Sequence, residues 1–346
     1  MRLADYTTIG LGGPAREFIS ADTEADLIKA VEAADARSEP VLILGGGSNL
    51  VVADEGFDGT VIQVLIQGRS RGESGVVTVA AGEGWDEAVA WTIAEGLAGL
   101  ECLSGIPGLA GATPIQNVGA YGQEVSQTIT QVRAYDRATR QILAIPASGC
   151  GFGYRTSRFR RPGGRFVVLS VTFRLAEQAV SAPVRYAELA AALGVAIGDR
   201  VPGGQARQAV LALRRRKGMV IDPADPDTRS VGSFFVNPVL DGAGLAAVET
   251  AVRARCGAGT AVPRFEAGDG LVKVPAAWLI ERAGFGRGFS LGDGARISFK
   301  HTLALVNSGS ATTADLMTLA RQIRDGVRAT FGVSLAPEPD LVGVSL

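Results

Sequence analysis

Three residues that lie far apart in the sequence are of the types that a proton-coupled reduction needs. Arg155 supplies a fixed cation, Ser233 supplies a hydroxyl, and Glu338, set between two prolines, supplies a carboxylate. Each of them taken alone has an ordinary explanation, since an arginine is most often a solvated surface charge and a serine hydroxyl often satisfies nearby backbone. A site therefore requires that other parts of the chain point to the same chemistry.

A triple glycine, Gly45–Gly47, follows the short apolar run 41–44 and precedes Ser48, Asn49 and Leu50. Successive glycines let backbone N–H groups converge on anionic oxygens without obstruction by Cβ atoms. The stretch is not a dinucleotide-binding fingerprint, because Leu50 occupies its third small position, and no Gly-Lys-Ser/Thr follows for a Walker loop. A ligand-binding turn and a plain glycine turn both remain open.

The segment 102–123 carries no charged residue and holds Pro107, Pro114 and five glycines. Such a segment would not make a stable membrane-spanning helix. An irregular stretch of this length is usually functional or disordered, and its apolar content argues against disorder. Two interpretations remain, a loop that wraps a large planar cofactor and an Ω-loop packed by its own side chains.

The bulk composition narrows the class of protein. With 34 Lys and Arg against 35 Asp and Glu the net charge is −1, which speaks against nucleic-acid binding. One histidine, His301, and three scattered cysteines leave no spacing for a metal site or a Ser-His-Asp triad. The N-terminus lacks the apolar core of a secretory signal. We therefore expect a cytoplasmic protein without a metal and with neither membrane nor nucleic acid as partner.

Hydrophobic periodicity predicts strands that alternate with helices in the first half of the chain and a more mixed second half. Strands are predicted at 16–20, 41–44, 61–66, 75–81, 131–135, 141–145, 165–174, 232–237, 295–299 and 303–306. Helices are predicted after a capping box at 23–26 and at 85–95, 203–217, 244–255, 276–283 and 312–331. The domain break is expected near 175–200, where the strand pattern gives way to Ala-rich polar sequence.

Short blocks distributed over nearly the whole chain resemble one family in its own order. The blocks are 7–15, 44–49, 106–108, 114–122, 151–157, 214–217, 232–238, 276–281 and 337–338. They resemble the UDP-N-acetylenolpyruvoylglucosamine reductase (MurB) family, the flavoenzymes of bacterial cell-wall precursor synthesis. Agreement across so many separated blocks does not arise by chance.

The resemblance implies an α+β fold with two domains. Residues 1–175 would form a two-lobed FAD-binding domain of the vanillyl-alcohol-oxidase (PCMH) type, with lobes at about 1–65 and 66–175. Residues 176–346 would form a smaller C-terminal domain that covers the substrate, and its last segment would return to the active site. The implied reaction takes hydride from NADPH through non-covalent FAD and reduces UDP-N-acetylglucosamine enolpyruvate, a small-molecule substrate, to UDP-N-acetylmuramate.

The resemblance also implies roles for single residues. Arg155 would stabilise charge on the substrate carboxylate, Ser233 would protonate C2, and Glu338 would orient the reacting end. The implied substrate-binding residues are Tyr186, Arg214, Lys217 and Asn237, of which Lys217 and Asn237 would help the proton transfer. The implied cofactor-binding residues are Gly45, Gly46, Gly47, Ser48, Asn49, Ile106, Pro107, Gly108, Thr113, Pro114, Gln116, Asn117, Gly119, Ala120, Tyr121 and Gly122.

Two rival assignments can be distinguished by sequence features. Another FAD-dependent oxidoreductase of the same superfamily would share the N-terminal half but lack the stretches 232–238 and 337–338. A non-catalytic nucleotide-binding protein with this fold would have lost Arg155, Ser233 or Glu338, and all three are present. The fold alone does not separate these assignments, because function lies in the site.

Overall fold

The structure is a computed structural model that describes residues 1–160 and 164–346. The helices are α1 (Glu24–Ala36), α2 (Trp85–Ala94), α3 (Ala187–Leu193), α4 (Gly203–Arg216), α5 (Gly242–Cys256), α6 (Ala276–Arg282) and α7 (Thr313–Phe331). The strands are β1 (Ala15–Ala21), β2 (Val41–Leu44), β3 (Leu50–Val52), β4 (Phe57–Val64), β5 (Arg69–Arg71), β6 (Val76–Ala80), β7 (Leu97–Ala98), β8 (Gly119–Ala120), β9 (Gln123–Glu124), β10 (Ile129–Asp136), β11 (Gln141–Pro146), β12 (Phe166–Arg174), β13 (Ala176–Glu177), β14 (Ser230–Ser233), β15 (Val239–Leu240), β16 (Phe265–Gly268), β17 (Leu271–Lys273), β18 (Ala295–Ile297), β19 (Ala304–Asn307) and β20 (Asp340–Val342). Within those ranges no helix has both the length and the apolar character needed to cross a bilayer.

The chain divides into two compact units. Unit 1 comprises Met1 and residues 15–47 and 57–220, and unit 2 comprises residues 2–14, 48–56 and 221–346. Unit 2 therefore contains two short N-terminal segments, and residues 176–220 are grouped with unit 1. The domain boundary at 175 stays a prediction.

In unit 1, helix α1 packs on a parallel sheet with the strand order β1-β4-β2. The helix begins where the capping box predicts, because Thr23 Oγ1 accepts a hydrogen bond from the Asp26 N–H at 3.1 Å. Its buried face presents Leu27 and Val31 to Ile62 of β4. The short strand β2 consists only of aliphatic residues, as expected for a strand in a parallel sheet that is covered by a helix.

The second sheet of unit 1 is antiparallel and has the order β11-β10-β12-β6-β5. Strands β10 and β11 form the predicted hairpin, with Asp136 opposite Gln141 at its closed end. Trp85 of α2 and Phe173 of β12 meet with ring centroids 5.9 Å apart in the core below this sheet. The uncharged segment 102–123 is hydrogen-bonded to the chain where β6 leads into α2, because the Trp85 N–H donates to the Gly108 carbonyl and the Gly111 N–H donates to the Ala81 carbonyl.

Unit 2 is built around α7, which begins at the predicted cap Thr312 and ends at Gly332 in a left-handed conformation. Its apolar face, including Leu316, Ile323 and Phe331, joins a core with α5, α6 and the antiparallel sheet β14-β19-β18. Strand β20 pairs in parallel with β3, so residues 340–342 are hydrogen-bonded to residues 50–52.

The predicted strand 232–237 is wrong in its second half. Strand β14 ends at Ser233, and its pairing with β19 is shifted at Gly232, which has φ +75°. The Phe234 N–H still bonds to the Leu303 carbonyl at 2.7 Å, but the Val236 N–H bonds to the Ala336 carbonyl at 3.1 Å. The chain therefore changes partners after Ser233, which an apolar run cannot reveal.

A bidentate ion pair joins the end of β10 to the residue before β12 in unit 1. Arg165 donates from Nε to Asp136 Oδ1 at 2.8 Å and from Nη2 to Oδ2 at 2.7 Å. Asp136 is 1% exposed, and it also accepts the Ala138 N–H in the hairpin turn. The Arg165 guanidinium lowers the pKa of Asp136 from 3.8 to about 2.

This pKa shift predicts a defined pH dependence for Asp136→Asn. Because the folded pKa lies below the unfolded one, the carboxylate stabilises the fold above about pH 4, and this contribution is lost as pH falls toward about 2. Urea unfolding should show the variant to be less stable than the wild type at neutral pH, with the gap closing in that window. The exposed Asp22→Asn serves as control, and a gap independent of pH would contradict the assignment.

Candidate active site

The triple glycine forms a turn directly after β2, against the start of the uncharged segment in unit 1. A Cβ atom at Gly46 would lie 2.9 Å from the Gly108 Cα, so the two backbones are in contact. Gly47 and Gly108 both have positive φ, at +61° and +111°, where a side chain would add strain. Gly45 differs from them, because a Cβ there would meet only the Leu109 side chain at an ordinary 3.7 Å.

The segment after Gly108 is hydrogen-bonded to the core of unit 1. The Ala110 N–H donates to the Glu83 carbonyl at 2.8 Å, and the Gly111 N–H donates to the Ala81 carbonyl at 3.0 Å. Thr113 is buried and its hydroxyl donates to the Ala110 carbonyl at 2.8 Å. Ile106, Ile115 and Ala120 pack against the cluster that contains Trp85, and Gln116 is buried. The segment is thus a fixed wall with a largely uncharged surface.

The segment ends in a two-residue hairpin between β8 and β9 with Tyr121 and Gly122 at its tip. Both residues have positive φ, at +48° and +84°, which is the conformation of a type I′ turn. Most non-glycine residues avoid this region, so Tyr121 is held there by its surroundings. The turn places the Tyr121 ring edge-on to the Tyr186 ring, with centroids 5.5 Å apart.

Asn117 connects this hairpin to the turn that carries Arg155. It is 1% exposed and has φ +47°. Its Nδ2 donates to Glu124 Oε2 at 2.9 Å and to the Gly153 carbonyl at 3.1 Å, and its Oδ1 accepts the Ser126 N–H at 3.1 Å. The amide, predicted to contact the cofactor, is thus used in holding protein segments together.

Arg155 lies at the tip of a tight turn and has an ordered guanidinium. Gly153 and Thr156 close the turn with two backbone hydrogen bonds of 3.0 and 3.3 Å, and Arg155 has φ +52°. Its Nη2 donates to the Gly119 carbonyl at 2.9 Å, and its Cζ lies 5.4 Å from the centroid of the Tyr154 ring. A left-handed arginine is the kind of backbone strain that persists where the surrounding structure enforces it.

Two predicted substrate residues of unit 1 meet at the hairpin tip. Lys217 Nζ lies 5.6 Å from the centroid of the Tyr121 ring and 2.5 Å from Glu188 Oε2. Burial raises the pKa of Tyr121 to about 12, so its phenol stays neutral. Tyr186 is 40% exposed, which leaves part of its ring available to a ligand. Glu188 was not predicted as a site residue, and its only signal in the sequence is its place two residues after Tyr186 at the start of α3.

Arg214 differs from the exposed Arg215 and Arg216 that follow it on α4. Its Nη2 donates to the Met219 carbonyl at 2.8 Å, and its Nε is buried with no hydrogen-bond partner in the described part of the chain. Burial lowers the pKa of Arg214 to about 10, so the side chain remains charged at neutral pH. Arg214 is therefore a half-buried cation and not the solvated end of a helix.

In unit 2, Ser233 and Glu338 lie on neighbouring backbone segments. The Glu338 N–H donates to the Phe234 carbonyl at 2.9 Å, and Phe235 forms a β-bridge with Pro337. Ser233 and Glu338 are both half-buried. Ser233 and Glu338, 105 positions apart, are thus brought onto neighbouring segments by backbone pairing.

The same segment of unit 2 carries the remaining predicted residues. The Asp340 N–H donates to the Asn49 carbonyl at 2.9 Å, which places Ser48 and Asn49 at the edge where Glu338 leads into β20. Asn237 has a structural contact that the sequence did not predict. Its Oδ1 accepts the Ala276 N–H at 2.9 Å and so caps α6, whose own preceding residue, Pro275, has no capping side chain.

Comparison with known proteins defines the class of this protein. Residues 15–143 match an FAD-binding domain, and residues 223–342 match the C-terminal domain of UDP-N-acetylenolpyruvoylglucosamine reductase. The protein is an FAD-dependent oxidoreductase with a second domain that the rival members of the FAD superfamily would lack.

Full-length relatives give the family. The chain is 56% identical over 345 residues to UDP-N-acetylenolpyruvoylglucosamine reductase of Streptomyces avermitilis, covering 99% of this chain and 94% of that protein. It is 55% identical over 348 residues to the Thermobifida fusca reductase, covering 99% and 97%. The crystal structure of the reductase (MurB) from Thermus caldophilus superimposes with a TM-score of 0.67 at 26% identity, covering 99% and 97%. The chain belongs to the UDP-N-acetylenolpyruvoylglucosamine reductase family, and the predicted family, α+β fold and FAD cofactor are confirmed.

The contact between the two glycine turns predicts unequal effects of two alanine substitutions. Gly46→Ala should force the Gly108 backbone away and lower both the FAD content and the thermal midpoint of the FAD-free protein. Gly45→Ala should leave the thermal midpoint of the FAD-free protein near that of the wild type, because its Cβ meets only the Leu109 side chain. Equal thermal midpoints and FAD contents in both variants would show that the turns do not need this contact.

Proposed function

We propose that the protein catalyses the NADPH-dependent reduction of UDP-N-acetylglucosamine enolpyruvate to UDP-N-acetylmuramate, in the synthesis of peptidoglycan precursors. The observation that carries the proposal is agreement at more than half of all positions, over 99% of the chain, with proteins named for this substrate. The presence of Arg155, Ser233 and Glu338 supports the full reaction. The site of action would be the cytoplasm.

The residues assigned to the cofactor suit a non-covalent dinucleotide. The Gly46–Gly108 contact and the positive φ of Gly47 leave no side chain on the inner face of the turn, which suits the approach of phosphate or ribose oxygens. The uncharged wall that follows Gly108 suits a planar ring. No histidine or cysteine occurs in 45–49 or 106–122 to form a covalent link.

Arg155 is proposed to bind the carboxylate of the enolpyruvyl group. The chemistry that FAD supplies when bound is hydride transfer, with NADPH as donor and C3 of the enolpyruvyl group as acceptor. Negative charge then develops on the substrate carboxylate, and a guanidinium already ordered by Gly119 stabilises that charge at little reorganisation cost. The guanidinium also offers two parallel donors to a carboxylate, which a lysine does not.

Ser233 is proposed to give its proton to C2 of the substrate. A neutral serine can act as a general acid only when its alkoxide is stabilised or rapidly reprotonated, and Lys217 and Asn237 are proposed to assist in this. Glu338 is held on the segment hydrogen-bonded to Phe234, which supports its role in orienting the reacting end. Tyr186 and Arg214 are proposed to contact the sugar–diphosphate. Val236, where many family members have lysine or threonine, is not expected to change this chemistry.

The proton-transfer role of Ser233 predicts that one half of the reaction is selectively slowed in Ser233→Ala. Stopped-flow absorbance should show reduction of the flavin by NADPH at the wild-type rate. Reoxidation by the enolpyruvyl substrate should slow by roughly 10²–10⁴-fold, the usual effect of losing a general acid. Ser233→Cys, which keeps an ionisable proton, should recover part of the rate.

The control for this experiment is Ser334→Ala, an exposed serine of the same unit. Both half-reactions of the control should match the wild type. Equal slowing of the two half-reactions in Ser233→Ala would mean that Ser233 affects folding or FAD placement instead of proton transfer.

A further inference from the structure

An open cavity of about 320 Å³ lies in unit 1 on the side of the hairpin tip where Gly122 meets Arg185. Three arginines line it, namely Arg174 from the end of β12, Arg185 from the loop before α3, and Arg200 from the loop before α4. These arginines have no role in the proposed reaction. A volume of this size accommodates a small polar molecule or one part of a larger one.

The charges of these arginines are not neutralised by ion pairs. Among residues 1–160 and 164–346, none of the three forms a salt bridge, and Arg200 Nη1 donates only to the neutral Ser181 carbonyl at 2.9 Å. One carboxylate lies behind the wall. Glu101 is 1% exposed and is bound to the N–H groups of Gly99 and Ala182, two residues that line the cavity. The three arginines are exposed and Glu101 is buried and bound to backbone, so positive charge predominates on the cavity lining.

A buried amide in the same wall has a hydrogen-bond donor without an acceptor. Gln123 is 6% exposed and lines the cavity. Its Oε1 accepts the Cys102 N–H at 2.8 Å, which fixes the orientation of the amide. Its Nε2 is buried and has no hydrogen-bond partner in the part of the chain that the structure describes. Because this nitrogen is shielded from solvent, it belongs to the wall and does not face the open cavity.

We propose that this cavity is a second binding site, which takes a phosphate monoester through the three arginines. An anion with more than one charge suits three arginines that form no ion pair among the described residues, and guanidinium groups bind phosphate oxygens through paired hydrogen bonds. The site adjoins both segments that carry the aromatic pair, since Gly122 follows Tyr121 and Arg185 precedes Tyr186. A bound phosphate would therefore connect the hairpin to the loop before α3.

Calorimetric titration of the FAD-loaded protein with inorganic phosphate, at constant ionic strength in chloride, tests the proposal. The wild type should bind phosphate saturably, and both Arg174→Gln and the double variant Arg174→Gln/Arg200→Gln should weaken this binding by more than about tenfold. The single variant is included because Arg200 also bonds to the backbone at Ser181. Arg253→Gln, an exposed arginine of α5, should bind phosphate as the wild type does.

Two results would overturn the proposal. The first is the absence of saturable phosphate binding by the wild type, and the second is phosphate binding of equal strength in the wild type and both cavity variants. Flavin content and thermal midpoint, measured on the same samples, show that the variants are folded. These readouts do not depend on turnover, so failure of this proposal is distinguishable from failure of the proposed reaction.

The source of the phosphate group is resolved by comparing two nicotinamide donors. If the cavity takes the 2′-phosphate of NADPH, the double variant should need a higher NADPH concentration for half-maximal flavin reduction, with the NADH dependence unchanged. If the cavity takes the phosphate of a separate molecule, the double variant should need unchanged concentrations of NADPH and of NADH for half-maximal flavin reduction. Its binding of inorganic phosphate should still be lost. Either pattern supports a phosphate site.

Discussion

The side-chain amide of Asn117 is the contact on which the relative position of the β8–β9 hairpin and the Arg155 turn depends. It is buried, and its hydrogen bonds to Glu124, Ser126 and the Gly153 carbonyl join the β8–β9 hairpin to the turn of Arg155. Amide groups with both ends satisfied specify a single arrangement of the segments around them. The guanidinium of Arg155 and the ring at the hairpin tip are therefore set by one side chain that need not react.

In unit 2, backbone pairing and not a side-chain amide holds the segments of Ser233 and Glu338 next to each other. The residues after β14 exchange the Leu303 carbonyl for the Ala336 carbonyl, which brings the Ser233 hydroxyl and the Glu338 carboxylate onto adjoining segments. The parallel pairing of β20 with β3 then fixes where the last segment lies. Side chains on paired segments are held more closely in position than side chains on free loops.

The elements that the sequence predicted well are those whose signals are local. The capping residues Thr23 and Thr312, the aliphatic run 41–44 and the hairpin of β10 and β11 all appear where periodicity and turn chemistry place them. Such features depend on neighbours within a few residues. The family resemblance supplied the fold class and the cofactor, which local patterns alone did not settle.

What the sequence missed depends on partners far along the chain. The change of pairing after Ser233 needs residues 336–338, and the capping of α6 by Asn237 joins positions 39 residues apart. The three-residue strands β3 and β20 are too short to show a period. Glu188 was missed because an acidic residue in the first turn of a helix has an ordinary explanation in the helix dipole.

One FAD-loaded chain is proposed to pass reducing equivalents from NADPH to an enolpyruvyl ether of a UDP-sugar. Anaerobic titration of the purified wild-type protein, followed by its visible spectrum, tests this most directly. One equivalent of NADPH should bleach the flavin absorption, and one equivalent of UDP-N-acetylglucosamine enolpyruvate should restore it with formation of UDP-N-acetylmuramate. A flavin that is bleached by NADPH and then reoxidised only by oxygen would contradict this proposed reaction.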